Sequence, residues 1–243
     1  MPRSQCSEGR SRIVRVTSPR GGGAACRAAL IAVLVGGGAF RAALALTPGL
    51  AQEPSLAPNT SFFISSRGRG LGANFGGIAG ADAHCRVLAT AVGRGNREWR
   101  AYLSAPATPD RPAVHARDRI GRGPWVNSLG VQIAATVEQL HGDDHALGFV
   151  TALSERGTTI SPGRHDILTG SNPDGTLVAG REDATCHGWT SHTTGRAMLG
   201  HHNRSGGGQR PTSWNSAHLS RGCSQIQLRA SMGDGLIYCF AAD

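Results

Sequence analysis

The sequence has no lysine: all 25 of its basic side chains are arginine. Together with the heavy alanine and glycine load, this reads as a compositional bias and not as chemistry. Aromatic residues make up only 5% of the chain. No Cys-x-x-Cys pair occurs, which excludes the usual thiolate frame of a structural zinc site. Neither a Gly-x-Ser-x-Gly elbow nor a His-Glu-x-x-His helix is present, so the two commonest hydrolase signatures are missing. There is no internal repeat. The longest apolar run, residues 28–46, is interrupted by Gly36–Gly38 and by Arg41, which argues against a stable membrane span.

What is present begins with a leader. Arg3, Arg10, Arg12, Arg15, Arg20 and Arg27 precede that apolar run, and the small residues Gly49 and Ala51 follow it. A basic region, a short apolar core and small residues before a cut describe a secretory signal over residues 1–51. Left uncleaved, the same segment would be the chain's one link to a membrane. The leader holds seven arginines and one acid, leaving eighteen arginines against fifteen acids, or +3, for the rest. The high isoelectric point therefore belongs largely to the leader, and nucleic acid is not an expected partner.

Cys6 and Cys26 fall in the leader. Cys85, Cys186, Cys223 and Cys239 remain, and an even number in an exported chain reads as two disulfides with three pairings open. Residues 52–60 read as a linker with nothing to bury, and residues 61–243 as one domain of ordinary single-core size. SFFISS at 61–66 is strand-like. GADAHCRVLATAVG at 80–93 carries Ala81, Cys85, Leu88 and Val92 at helical spacing, with Asp82 near its start and Gly93 at its end. REWRAYLSA alternates Trp99, Ala101 and Leu103 as a strand. VQIAATVEQLHG reads as a second short helix ended by Gly142, and LIYCFA as a terminal strand.

Between them, from His165 to Cys239, runs a long polar stretch of weak periodicity punctuated by three cysteines and two tryptophans. Such a stretch is normally functional or disordered, and the cysteines argue for order. Two helices, short strands and this region give an α+β fold with small antiparallel sheets and a disulfide-braced loop region.

GADAHCRVLATAVG, REWRAYLS, GSNPDGTLVAGREDATCHGW and LIYCFA, in this order and within this cysteine frame, resemble the C-type lectin-like fold. The closest branch is that of endostatin-like and bacterial exported lectin-like domains. The resemblance covers about residues 61–241 and implies the pairing Cys85–Cys239 and Cys186–Cys223. Sugar-binding members hold calcium with a Glu-Pro-Asn or Gln-Pro-Asp triplet, acids before the second cysteine, and a Trp-Asn-Asp triplet. Here Asn172-Pro173-Asp174, Glu182 with Asp183, and Trp214-Asn215-Ser216 stand in those places. By this resemblance the calcium ligands are Asn172, Asp174, Glu182, Asp183 and Asn215, and the ligand-binding residues Asn172, Asp174, Trp214, Asn215 and Ser216. Calcium takes six to eight hard oxygens, which such residues supply. Ser216 stands where the pattern has a carboxylate, which weakens that set. The plain alternative is that Asn-Pro-Asp-Gly is a turn and Trp-Asn-Ser a packing corner. Endostatin's zinc histidines lie near its N-terminus, and residues 52–66 contain none.

Other groups read as structural. His141 and His145 would share a helix face, but Gly142 breaks the helix into a solvated turn. His165-Asp166 and His201-His202 are loop residues without an identifiable partner, and Gly206–Gly208 is a loop tip. Arg117, Arg119 and Arg122 around Asp118 form an ion-paired turn in preference to a basic patch. Of the tryptophans, only Trp214, flanked by polar residues, is a candidate sugar platform. The expectation is a secreted, periplasmic or cell-surface binding domain that recognises a carbohydrate or glycoconjugate. A metal-independent module for a surface protein is the alternative, and an exported hydrolase, which would need a catalytic site, is the third reading.

Overall fold

The computed structural model describes residues 55–180 and 182–243. The expected leader, residues 52–54 of the linker and Arg181 lie outside the described residues. The elements run β1 (Phe62–Ile64), α1 (Gly77–Ala91), β2 (Trp99–Ala101), β3 (Trp125–Val126), β4 (Gln132–Ala134), α2 (Val137–His141), β5 (Asp166–Leu168), α3 (Cys186–Trp189), β6 (Met198–His201), β7 (His218–Leu219), α4 (Gln225–Arg229) and β8 (Gly233–Ala241). The α+β class is as expected, but with four α-helical segments among the described residues in place of two.

Strand β8 is the spine. β1 and β2 flank its C-terminal half as antiparallel partners, and β5 pairs with its N-terminal half in parallel. The main sheet is therefore mixed, which the expectation of antiparallel sheets did not include. β6 and β7 extend it from β5. The unbroken apolar run of β8 follows from burial on both faces. Ile237, Cys239 and Ala241 point into one core with Phe63, Leu88, Leu168 and Trp189, while Leu236, Tyr238 and Phe240 point into a second with Phe62, Tyr102, Trp125 and Trp214.

Helix α1 lies on the first core through Ile78, Ala81, Cys85, Leu88 and Ala89. Asp82 is not a capping group at its start. It is buried in the second turn, where Arg119 reaches it through two nitrogens (2.7 and 3.0 Å), Arg100 through one (3.1 Å), and the Ala101 amide donates to it (2.8 Å). The helix is thereby fixed to β2. Cys85 pairs with Cys239 and Cys186 with Cys223, the pairing the resemblance implies.

The segment VQIAATVEQLHG is not one helix. Its first half is β4, paired with β3, and Thr136 then caps α2 by accepting from the Gln139 amide (3.2 Å). β-branched Val131 and Ile133 favour the strand, and a threonine cap starts a new helix. Residues 55–60 are not a free linker either. The Ala57 amide donates to Ser128 O (2.9 Å), Arg94 donates to the Leu56 and Ala57 carbonyls, and Thr60 is buried. α3 is a single turn whose four residues all have positive φ, from 49° to 71°. Left-handed backbone costs non-glycine residues energy. Asp183 holds the turn by accepting from the Thr185 and His187 amides, and the buried Trp189 anchors it by donating to Ser104 O (2.8 Å).

Candidate functional site

Two features on the loop region gather polar side chains. The first is a cleft of about 410 Å³ between the end of α2 and the segment 204–215, with walls that include His141, His145, Arg204, Arg210, Trp214 and Asn215. Its floor is a hydrogen-bonded group. Buried Asn215 donates its amide to the Tyr102 hydroxyl (2.9 Å) and to the Asn172 and Pro173 carbonyls (both 3.1 Å). The Tyr102 hydroxyl meets His141 Nε2 (2.7 Å), and His141 Nδ1 donates to Val137 O (2.7 Å). Burial pushes the Tyr102 hydroxyl well above its ordinary value and lowers that of His141. Burial and the nearby Arg204 charge hold His145 down at about 4. Both histidines are therefore neutral near pH 7, and Arg204 and Arg210 carry the cleft's positive charge, with the Asp143 carboxylate also on its wall.

The two segments that the sequence singled out do meet here. The Asn172–Gly175 turn closes with Gly175 at φ +83°, where an added Cβ would lie 2.3 Å from His141 Nε2 and 2.8 Å from the Tyr102 hydroxyl. Only glycine fits that contact. Trp214 is no open platform. It is 3% exposed, its indole donates to Leu140 O (3.0 Å), and its ring packs on Tyr102 and Tyr238. Ser216 is buried, and its amide donates to Ser213 Oγ (3.0 Å).

The expected calcium donors are dispersed and engaged. Asp174 accepts from the Thr176 amide and hydroxyl, Asn172 donates to Thr176 and Leu177, and Asn215 Oδ1 accepts from Ser213. Asp183 holds α3, and with Glu182 it lines a separate depression. The arginines near 119 make no patch: Arg119 is buried on Asp82, and Arg117 donates to Asp174 O (2.9 Å). The turn after Gly142 is not fully solvated, since His145 is buried.

The second feature was invisible in the sequence. Asp166 and His201 are direct partners across β5 and β6, and His218 stands opposite Leu199, diagonal to His201. The register shifts beside Asp166, as such irregularities do when they redirect a side chain. The Nε2 atoms of His201, His165 and His218 lie 3.2, 3.3 and 3.5 Å from Asp166 Oδ1. Burial alone would raise the Asp166 carboxyl, but the histidines around it hold it below its ordinary value. Asp166 in turn raises His218, while burial lowers His165 and takes His202 to about 4. Gly206–Gly208 is no idle tip. A Cβ on Gly206 would come within 3.0 Å of both the His165 and His201 rings, and one on Gly208 within 2.8 Å of His218. His165 and His218 open onto a depression of about 390 Å³ beside this loop. The only sequence signal was three short histidine-bearing segments, meaningless until their strands are paired.

No protein-family model matches the chain, and a search of curated proteins found no match. Among the described residues no helix is long and apolar enough to cross a membrane. Two disulfides fit an oxidising compartment.

Proposed function

We propose that the chain is an exported, C-type-lectin-like binding domain that recognises a carbohydrate or glycoconjugate bearing acidic groups, without calcium, in the cleft beside Asn215. The observation that carries this reading is the cleft's lining: two guanidinium groups against one carboxylate, Asp143, with two neutral imidazoles, around a space large enough for one or two sugar rings. Arginine forks suit carboxylate and sulfate groups, and polar walls suit hydroxyls. The order of elements and the cysteine pairing support the lectin-like resemblance.

The test is titration of the oxidised full-length chain with neutral, carboxylated and sulfated oligosaccharides. Acidic sugars should bind, with affinity unchanged by chelator, and Arg204→Ala and Arg210→Ala should each weaken binding about tenfold, the value of one charge-assisted hydrogen bond. Equal binding of neutral and acidic sugars, or none of either, would reject this reading.

A protein-interaction module has its own support. Leu129, Val131, Phe149 and Val150 are exposed, on two segments joined by the Asn127 amide donating to Thr151 O (2.9 Å). A surface protein retained by the chain and lost on Val150→Asp, with Arg210→Ala harmless, would favour it.

A further inference from the structure

We propose that His165, Asp166 and His201 form a binding site for a divalent transition-metal ion of the zinc class, with His218 at its edge. The argument starts from atoms with nothing to do. Asp166 is buried, and among the described residues neither of its carboxylate oxygens has a hydrogen-bond partner; the same holds for His201 Nε2. A buried carboxylate without partners is costly to keep, yet three imidazoles surround this one.

The tautomer of His201 sharpens the point. Its Nδ1 lies 2.8 Å from the Pro211 carbonyl, which can only accept, so Nδ1 carries the proton. In the neutral ring, Nε2 then presents a lone pair to the Asp166 oxygen 3.2 Å away. Two lone pairs that face each other at this distance repel unless a cation, a shared proton or a metal ion, lies between them. His218 repeats the arrangement, with Nδ1 3.1 Å from Leu219 O and Nε2 turned to Asp166. An imidazole held by a backbone carbonyl through one nitrogen, with the other free, is the usual pose of a metal ligand; His165 differs, its Nδ1 facing the Asn203 side-chain amide at 3.3 Å.

The spacing fits as well. Ligand atoms about 2.0–2.2 Å from a tetrahedral zinc ion stand about 3.2–3.6 Å from one another. His165 and His201 meet Asp166 Oδ1 at 3.3 and 3.2 Å, and one ligand atom from each of the three residues lies within 4.8 Å of the others. Two imidazoles and a carboxylate suit zinc and its neighbours better than calcium, which takes only oxygens. His218, 3.5 Å from the same oxygen and on the wall of the depression, offers a fourth ligand atom. The glycines at 206 and 208 let the loop backbone approach the rings, where an added Cβ would come within 3.0 Å of them. His201 touches the cleft wall through Pro211, Ser213 and the Arg204 amide, but none of His165, Asp166, His201 and His218 lines the cleft, so bound metal and bound sugar are read separately.

Chelator-treated, oxidised full-length chain is dialysed against zinc and analysed for bound metal, and cobalt is added in parallel for its visible absorption. We expect one tightly held zinc ion per chain, a tetrahedral cobalt spectrum, and no uptake of calcium at these residues. Asp166→Asn and His201→Ala should each lower zinc affinity about a hundredfold, and His218→Ala about tenfold, whereas His192→Ala should leave it unchanged. Zinc held equally by the Asp166→Asn/His201→Ala pair, or no zinc held by the native chain, overturns the proposal. Should the variants not fold, anomalous scattering at the zinc edge from native crystals decides, and an ion elsewhere or no ion is the negative result.

Discussion

Asp82 shows how much one side chain can organise. Its carboxylate takes both nitrogens of Arg119, one of Arg100 and the Ala101 amide, and the Asp82 and Arg119 side chains are only 11% and 12% exposed. Removing one member of a buried pair leaves the other charge stranded. Asp82→Ala should therefore cost about 3–5 kcal/mol in urea unfolding. Arg100, 38% exposed, should be worth no more than about 1 kcal/mol in the same assay. At this scale the sequence was partly readable. Cys85 and Leu88 announced the buried face of α1 by spacing alone. Asp82 did not announce its partners, because Arg100 and Arg119 come from segments that only the tertiary fold brings to it. The histidines around Asp166 were hidden for the same reason: His165, His201 and His218 belong to three segments whose contact depends on strand register.

Among elements, what was legible had either length or a two-faced apolar run. Helix α1, strands β1 and β2, and β8 met that condition. β6 and β7 did not: their few residues include Gly200, kept small because the Trp214 backbone crosses against it, where an added Cβ would lie 1.8 Å from Trp214 O. α4 could have been seen, since Ser224 and Gln227 form a capping box. The two disulfides divide the work between elements. Cys85–Cys239 closes 154 residues and ties α1 to β8, while Cys186–Cys223 closes 37 and ties α3 to the start of α4. In the chain-entropy model these are worth about 5 and about 4 kcal/mol. Denaturant titrations of the Cys85→Ala/Cys239→Ala and Cys186→Ala/Cys223→Ala chains should show losses in that order. A larger loss from the inner pair would mean that the left-handed turn of α3 depends on its bridge.

For the whole molecule, acid should be the natural stressor. His84, His141 and His145 all lie below the ordinary imidazole value, chiefly because burial disfavours their charged forms. The unfolded chain therefore binds more protons than the folded one across the range between the folded values and about 6.5, and stability rises with pH there. Melting temperatures of the chelator-treated chain should fall steadily from pH 6.5 towards pH 4. His145→Gln should flatten the slope, and an unaltered slope would show that this ring is solvated.

The position of β8 carries a consequence for how the protein is made. This strand supplies the common partner of β1, β2 and β5, and one half of the outer disulfide, yet it is the final element of the domain. A ribosome releases every other piece of the main sheet before the piece that joins them. Nascent chains arrested after residue 232 should be cut readily by protease, and chains released with β8 should resist it once oxidised. A sheet that closes only on its last-made strand leaves the chain before it threadable until that strand emerges.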